Sequence, residues 1–161
     1  SRGTYYLSQA VLPYMPDGSR IITHSPPIDS MSMDYYHKKD FLGGKIAYIT
    51  SKLNMSIITT GLAAELKNRR IACNCIWPNT AIKTDAIKML AKINPEIDNP
   101  ALWRKPDIIN DMVNFLLQEP DDFTGNYLVD QTYLELKGIS DFSKYQCKEG
   151  YEPPPLFTLL S

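Results

Sequence analysis

The sequence predicts an α/β fold, part of a doubly wound parallel sheet of Rossmann-like kind, with three visible strands and flanking helices. Three observations carry that expectation. Short β-branched or apolar runs bounded by turn residues recur at 20–25 (RIITHS), 70–77 (RIACNCIW) and 125–130 (GNYLVD). Segments of helical period separate them, the longest at 45–68. A strand, a long helix and another strand in succession make a crossover unit, and such a connection gives parallel strands.

Taken in order, the opening segment SRGTYYLSQAVLPYM is helical, with Tyr5, Leu7, Ala10, Val11, Tyr14 and Met15 as its apolar positions. It ends near Pro16, where Pro16, Asp17 and Gly18 make a turn. The run at 20–25 is a buried strand that Pro26 and Pro27 stop. The chain from there to Gly44 carries Met31, Met33, Tyr35 and Tyr36 with no clean period and reads as a long loop. Between 45 and 68 one apolar stripe holds Ile46, Ile49, Leu53 and Ile57, and a second holds Met55, Ile58, Leu62 and Leu66. A helix apolar on two sides needs two partners, a sheet on one and a helix or second subunit on the other. The strand at 70–77 stops at Pro78, and 80–93 reads as an irregular turn and a short helix with Ile82, Ala86, Met89 and Leu90. Pro106 suits the first turn of a further helix whose buried face is Ile108, Ile109, Met112, Val113, Leu116 and Leu117. Beyond the third strand, the remainder with Phe142, Tyr145, Pro153, Pro154, Pro155 and Phe157 reads as mostly extended chain, with 139–161 a tail packed on the same domain.

Composition narrows the function. The chain has 161 residues, 43% of them hydrophobic, and a formal net charge of -1, which fits one ordinary globular domain. Without a basic excess, nucleic acid is not an expected partner. No apolar run reaches the ~20 residues that a bilayer span needs. Cys73, Cys75 and Cys147 form an odd set without metal-ligand spacing, so no metal site is expected. They point to core thiols in a reducing, intracellular compartment. Ser1 opens directly into a helical pattern, so we expect an N-terminal portion to precede it.

The stretch GGKIAYITSKLN, at 43–54, carries the most chemistry. On a helix, Tyr48 and Lys52 stand four residues apart on one face. A nearby fixed cation favours the phenolate, so a phenol with an ordinary pKa of ~10 becomes usable for proton transfer. In a doubly wound sheet, ligands sit beyond the carboxyl ends of the strands. Ser25 ends the first strand, Trp77, Pro78, Asn79 and Thr80 follow the second, and Tyr48 and Lys52 begin the connecting helix, so all belong to one edge. Ser25 is read either as a substrate-facing hydroxyl or as a cap at the strand end. His24 and Trp77 are read as packing groups, while Tyr35, Tyr36, Met31 and Met33 suit either an apolar substrate pocket or a lid.

These pieces together resemble the short-chain dehydrogenase/reductase family, and within it a hydroxysteroid dehydrogenase-like branch. The matching segments are RGTY with Tyr6 at 2–6, HSPP at 24–27, AYITSKLNMS at 47–56 and WPNTAIKT at 77–84. Arg104 to Pro106, Thr124 to Asn126 and DFSKY at 141–145 look similar as well. The resemblance implies a nicotinamide-dependent oxidoreductase that interconverts a hydroxyl and a carbonyl on a small apolar substrate. Tyr48 would exchange the proton, Lys52 would lower the phenol's pKa and bind the nicotinamide ribose, and Ser25 would hold the substrate oxygen. Pro78, Asn79, Thr80, Ile82 and Thr84 would line the cofactor, NAD or NADP, together with Tyr48 and Lys52.

Departures from the family pattern shape the remaining expectations. Asn79 stands where many relatives carry glycine, the interval from Ser25 to Tyr48 is long, and no Gly-rich phosphate loop is visible. The chain is therefore expected to be the C-terminal portion of one Rossmann-like domain. The alternative is a non-catalytic structural or interaction subunit of a larger assembly. Relatives imply a homo-oligomer through the helices at 4–15 and 45–68, and a mitochondrial location ahead of a peroxisomal or cytoplasmic one.

Overall fold

In a computed structural model that describes residues 1–28, 44–93 and 95–155, the chain forms two compact units. Residues 29–43 of the expected long loop, with Met31, Met33, Tyr35 and Tyr36, lie outside the described residues, as does the end of the chain with Phe157.

The first unit is Ser1–Trp77 together with Leu117–Leu128. Its first strand, β1, is Arg20–His24, and β2 is Ala72–Trp77. They pair in parallel from Arg20 opposite Ala72 to His24 opposite Ile76. The three-stranded sheet has the order β1-β2-β5, where β5 is Tyr127–Val129. Every residue of β2 is buried, as expected of a central strand covered on both faces. The helix α1, Arg2–Val11, ends earlier than the sequence suggests. Pro13 has no N–H to extend the ladder, and a tighter turn follows over Leu12–Tyr14.

The connection from β1 to β2 runs through α2, Ile46–Glu65. Leu62, Ala63, Leu66, Ile71 and Cys73 make one buried cluster with Leu12, Met15, Ile21 and Ile58 packed against it. The second predicted stripe is thus the core face. The first stripe is divided: Ile49 is buried at 7%, whereas Ile46 and Ile57 are 68% and 57% exposed. Cys73 and Cys75 are core thiols; burial, with Cys75 adding to it, pushes the Cys73 thiol up to about 11. Gly125 (φ 78) turns the chain into β5, donating its N–H to the Cys73 carbonyl at 2.8 Å.

The second unit is Pro78–Leu116 together with Val129–Ser161. It contains a two-stranded parallel sheet that the sequence reading lacks, β3 (Ala81–Ile82) beside β4 (Trp103–Arg104). Strands of two residues carry no readable periodicity, which is why only the tertiary pairing reveals them. Its helices are α3 (Asp85–Ile93), α4 (Asp107–Leu116) and α5 (Asp130–Leu136). Of the α4 face, Ile108, Met112 and Leu116 are almost fully buried, whereas Leu117 is 52% exposed just past the helix end. The helix α5 falls where mostly extended chain is expected. Asp130 starts it by accepting the Gln131 N–H at 2.6 Å, and Tyr133 and Leu134 supply its buried face. No helix among the described residues is long and apolar enough to cross a membrane.

Candidate active site

The first unit holds Ser25, Tyr48 and Lys52. Ser25 follows β1 directly, and its backbone N–H donates to the Ile76 carbonyl at 3.1 Å, continuing the β1–β2 ladder. Its side chain is fully buried, with the hydroxyl 3.2 Å from Thr23 Oγ1. Thr23 Oγ1 meets Thr59 Oγ1 at 2.7 Å, and Thr59 donates to the Met55 carbonyl at 2.8 Å. Thr23 Oγ1 thus lies within hydrogen-bond reach of Ser25, Thr59 and Cys75 Sγ, and the Ser25 hydroxyl belongs to an internal network. Ser56, also fully buried, donates to the Pro26 carbonyl at 2.6 Å. A network of hydroxyls thereby fastens the inner face of α2 to the end of β1.

Lys52 lies beside that network. Its ammonium donates to the His24 carbonyl at 2.7 Å and sits 5.7 Å from the centroid of the Trp77 ring. The His24 ring is 5.5 Å from the same indole at an interplanar angle of 31°. Burial lowers Lys52 from its ordinary value, and burial with the nearby Lys52 charge lowers His24. The Trp77 indole N–H is buried without a partner among the described residues.

Tyr48 is 59% exposed, and partial burial of its phenol raises the pKa. This corrects the expected direction. The ammonium that would lower the phenol is bonded to the His24 carbonyl instead, one helical turn away.

The segment 78–84 belongs to the second unit. The Asn79 N–H donates to Asp130 Oδ1 at 2.8 Å, and its amide donates to Gln131 Oε1 at 3.0 Å, so this residue is a structural tie to the start of α5. Asp130 is fully buried, and burial raises its pKa against the pull of those backbone donors and of Arg104. Pro78 is buried, and Thr80 is 0% exposed with an Oγ1 that has no partner among the described residues. Ile82 closes β3, and Thr84 accepts the Ile87 N–H at 3.4 Å where α3 begins.

Sequence reasoning missed Thr23, Ser56, Thr59 and Asp130. A signal for three of them exists: Ser56 and Thr59 recur at helical spacing on an otherwise apolar face, opposite a threonine of the strand. Asp130 gave none, because its role depends on a chain reversal that brings it to Asn79.

Comparison with known proteins sets these residues in context. The family model described as enoyl-(acyl carrier protein) reductase matches residues 1–129. The chain is 36% identical over 161 residues to hydroxysteroid dehydrogenase-like protein 2 of Homo sapiens and equally so to that of Pongo abelii, covering 99% of this chain and 36% of each relative. It thus spans about a third of the length of the curated relatives it matches. Among solved structures, a short-chain dehydrogenase of Mycobacterium thermoresistibile superposes with a TM-score of 0.78 at 33% identity, over 96% of this chain and 52% of that one. A blue fluorescent protein from a metagenomic library, solved in complex with NADPH, gives 0.56 at 27% identity over 80% of this chain and 50% of that one.

Proposed function

Since the chain belongs to the short-chain dehydrogenase/reductase family, we propose that it carries the proton-transfer half of a nicotinamide-dependent oxidoreductase acting on a hydroxyl or carbonyl of a small apolar substrate. The observation that carries this reading is the placement of Tyr48 and Lys52 one turn apart at the start of α2, beside the carboxyl end of β1.

The donor chemistry fits a nicotinamide nucleotide, NAD or NADP. Among the described residues Lys52 bonds His24 with one of its three N–H groups, and the ammonium would serve ribose hydroxyls with the others. Thr80 Oγ1 is a buried hydroxyl without a partner among the described residues, in the segment Pro78, Asn79, Thr80, Ile82 and Thr84 that would line the cofactor. When bound, the nicotinamide supplies or accepts the hydride. Tyr48, exposed at the helix surface, gives its proton to the carbonyl oxygen in reduction and takes it back in oxidation. Lys52 draws the phenol down when its ammonium turns from the His24 carbonyl toward Tyr48. Ser25 takes the substrate oxygen by rotating its hydroxyl away from Thr23. We read the two units as parts of one Rossmann-like domain that is continued by a dinucleotide-binding half, and the protein as a homo-oligomer located in the mitochondrion.

Full-length protein with Tyr48→Phe tests the assignment. Hydride transfer to a panel of carbonyl substrates, followed by nicotinamide absorbance, is expected to fall by about 10²-fold or more with no change in fold. Unchanged turnover would remove Tyr48 from the chemistry. A second reading, a non-catalytic structural or interaction subunit, is favoured by the burial of Ser25 and its internal hydrogen bond. Titration of the full-length protein with NADH and NADPH separates the two, since tight binding is incompatible with a pure scaffold.

A further inference from the structure

Arg104, in β4, is 0% exposed, and a buried guanidinium is tolerated only where its charge is met. Glu152 bonds it through Nη2, and the Phe142 ring lies 5.3 Å from its Cζ. Both partners come from the segment 142–155. Backbone hydrogen bonds lay that segment along β4: the Lys105 N–H donates to the Tyr145 carbonyl at 2.7 Å, and the Cys147 N–H donates to the Trp103 carbonyl at 3.3 Å. Arg104 itself pairs with Gln146 in an antiparallel bridge.

The other edge of β4 holds the candidate cofactor segment. Ile82 pairs with Arg104, and the Lys83 N–H donates to the Arg104 carbonyl at 2.9 Å. The far end of 142–155 reaches the same segment again, where Pro155 forms an antiparallel bridge with Thr80. Between these two attachments lies Glu152, followed by Pro153, Pro154 and Pro155. Proline fixes φ, so the position of an anchored carboxylate at 152 is transmitted stiffly to the bridge at 155. Gln146 steadies the same turn, donating to Glu152 Oε2 at 3.4 Å and accepting the Gly150 N–H at 3.0 Å.

We propose that residues 142–155 act as a strap whose buckle is the Arg104–Glu152 pair, and that Arg104 is a positioning residue holding Thr80 to Thr84 in the shape that binds the nicotinamide cofactor. This rests on the reading of that segment as cofactor-lining. Arg104 fixes Ile82 and Lys83 through the backbone of β4 and fixes Thr80 through Glu152 and the prolines. Opening the buckle removes the carboxylate that bonds the buried guanidinium, leaving only the electrostatic influence of Asp130, and frees one of the two attachments.

The test uses full-length protein with Glu152→Gln, which keeps side-chain size, and Glu152→Asp, which keeps the charge. Hydrogen exchange is read without cofactor, and NADH and NADPH affinities are read by titration. In Glu152→Gln, amides of both 80–84 and 146–152 are expected to exchange at least about tenfold faster while β1 and β2 do not change. Cofactor Kd rises by a similar factor, and Glu152→Asp recovers most of it. Faster exchange confined to 146–152, or an unchanged Kd despite faster exchange at 80–84, overturns the proposal. If the wild-type protein binds neither nucleotide, the functional reading fails, and the exchange pattern then decides separately whether the strap holds the segment.

Discussion

At the level of single residues, the candidate site is set by which hydrogen-bond donors are already used. Lys52 is bonded to a backbone carbonyl, and the Ser25 hydroxyl is hydrogen-bonded with Thr23. The pair Tyr48 and Lys52 is legible in the sequence because helical spacing alone puts both on one face. The direction of the phenol's shift is not legible, because it depends on where the flexible lysine side chain ends. His24 carries a testable consequence. Its pKa is lowered in the fold, so between that value and the ordinary ~6.5 the unfolded chain binds more protons than the folded one. Stability therefore rises with pH through that window, is complete above about 6.5 and declines as pH falls through the folded pKa. Urea unfolding of wild type and His24→Phe from pH 7 to pH 5 is expected to show the larger acid loss in wild type; parallel profiles would contradict the shift.

At the level of elements, α2 is more than a connector. Its inner face combines aliphatic burial near Leu62 and Ala63 with hydroxyl bonding at Ser56 and Thr59. The polar bonds are directional, so they set where the first turns of the helix, and with them Tyr48 and Lys52, stand against β1. Thr59→Val keeps the shape and removes the hydroxyl that bonds Thr23. A loss of about 1–3 kcal/mol is expected in chemical denaturation, the scale of leaving a buried hydroxyl without its partner. No measurable loss would mean that Thr23 turns to Cys75 Sγ, already at 3.5 Å, at no cost. The helix is legible in its apolar stripes and the helical spacing of Ser56 and Thr59 marks their shared face, whereas their register on the strand depends on tertiary pairing with Thr23 and Pro26.

For the molecule as a whole, the first unit carries apolar surface that is left exposed among the described residues. Tyr6, Leu7 and Tyr14 at α1 and its following turn are 57%, 66% and 87% exposed, alongside Ile46 and Ile57 of α2. Apolar surface of this extent on elements that pack on each other suits a second subunit. Light scattering of the full-length protein is expected to give an oligomer. Leu7→Asp with Ile57→Asp should shift it toward monomer while leaving far-UV circular dichroism unchanged, and an unshifted mass would move the interface elsewhere.

The sequence alone determined the α/β class, the parallel pairing of β1 with β2 and the Tyr48–Lys52 pair. Each follows from local periodicity, from prolines that stop strands, or from the stereochemistry of a strand-helix-strand connection. Tertiary structure decided the rest: the β3–β4 pairing, the helix α5, the buried Arg104 with its strap, and the hydroxyl network around Ser25. Those features rest on partners distant in sequence, such as Arg104 with Glu152 or Asn79 with Asp130, and long-range pairing leaves no trace in the local pattern of either partner.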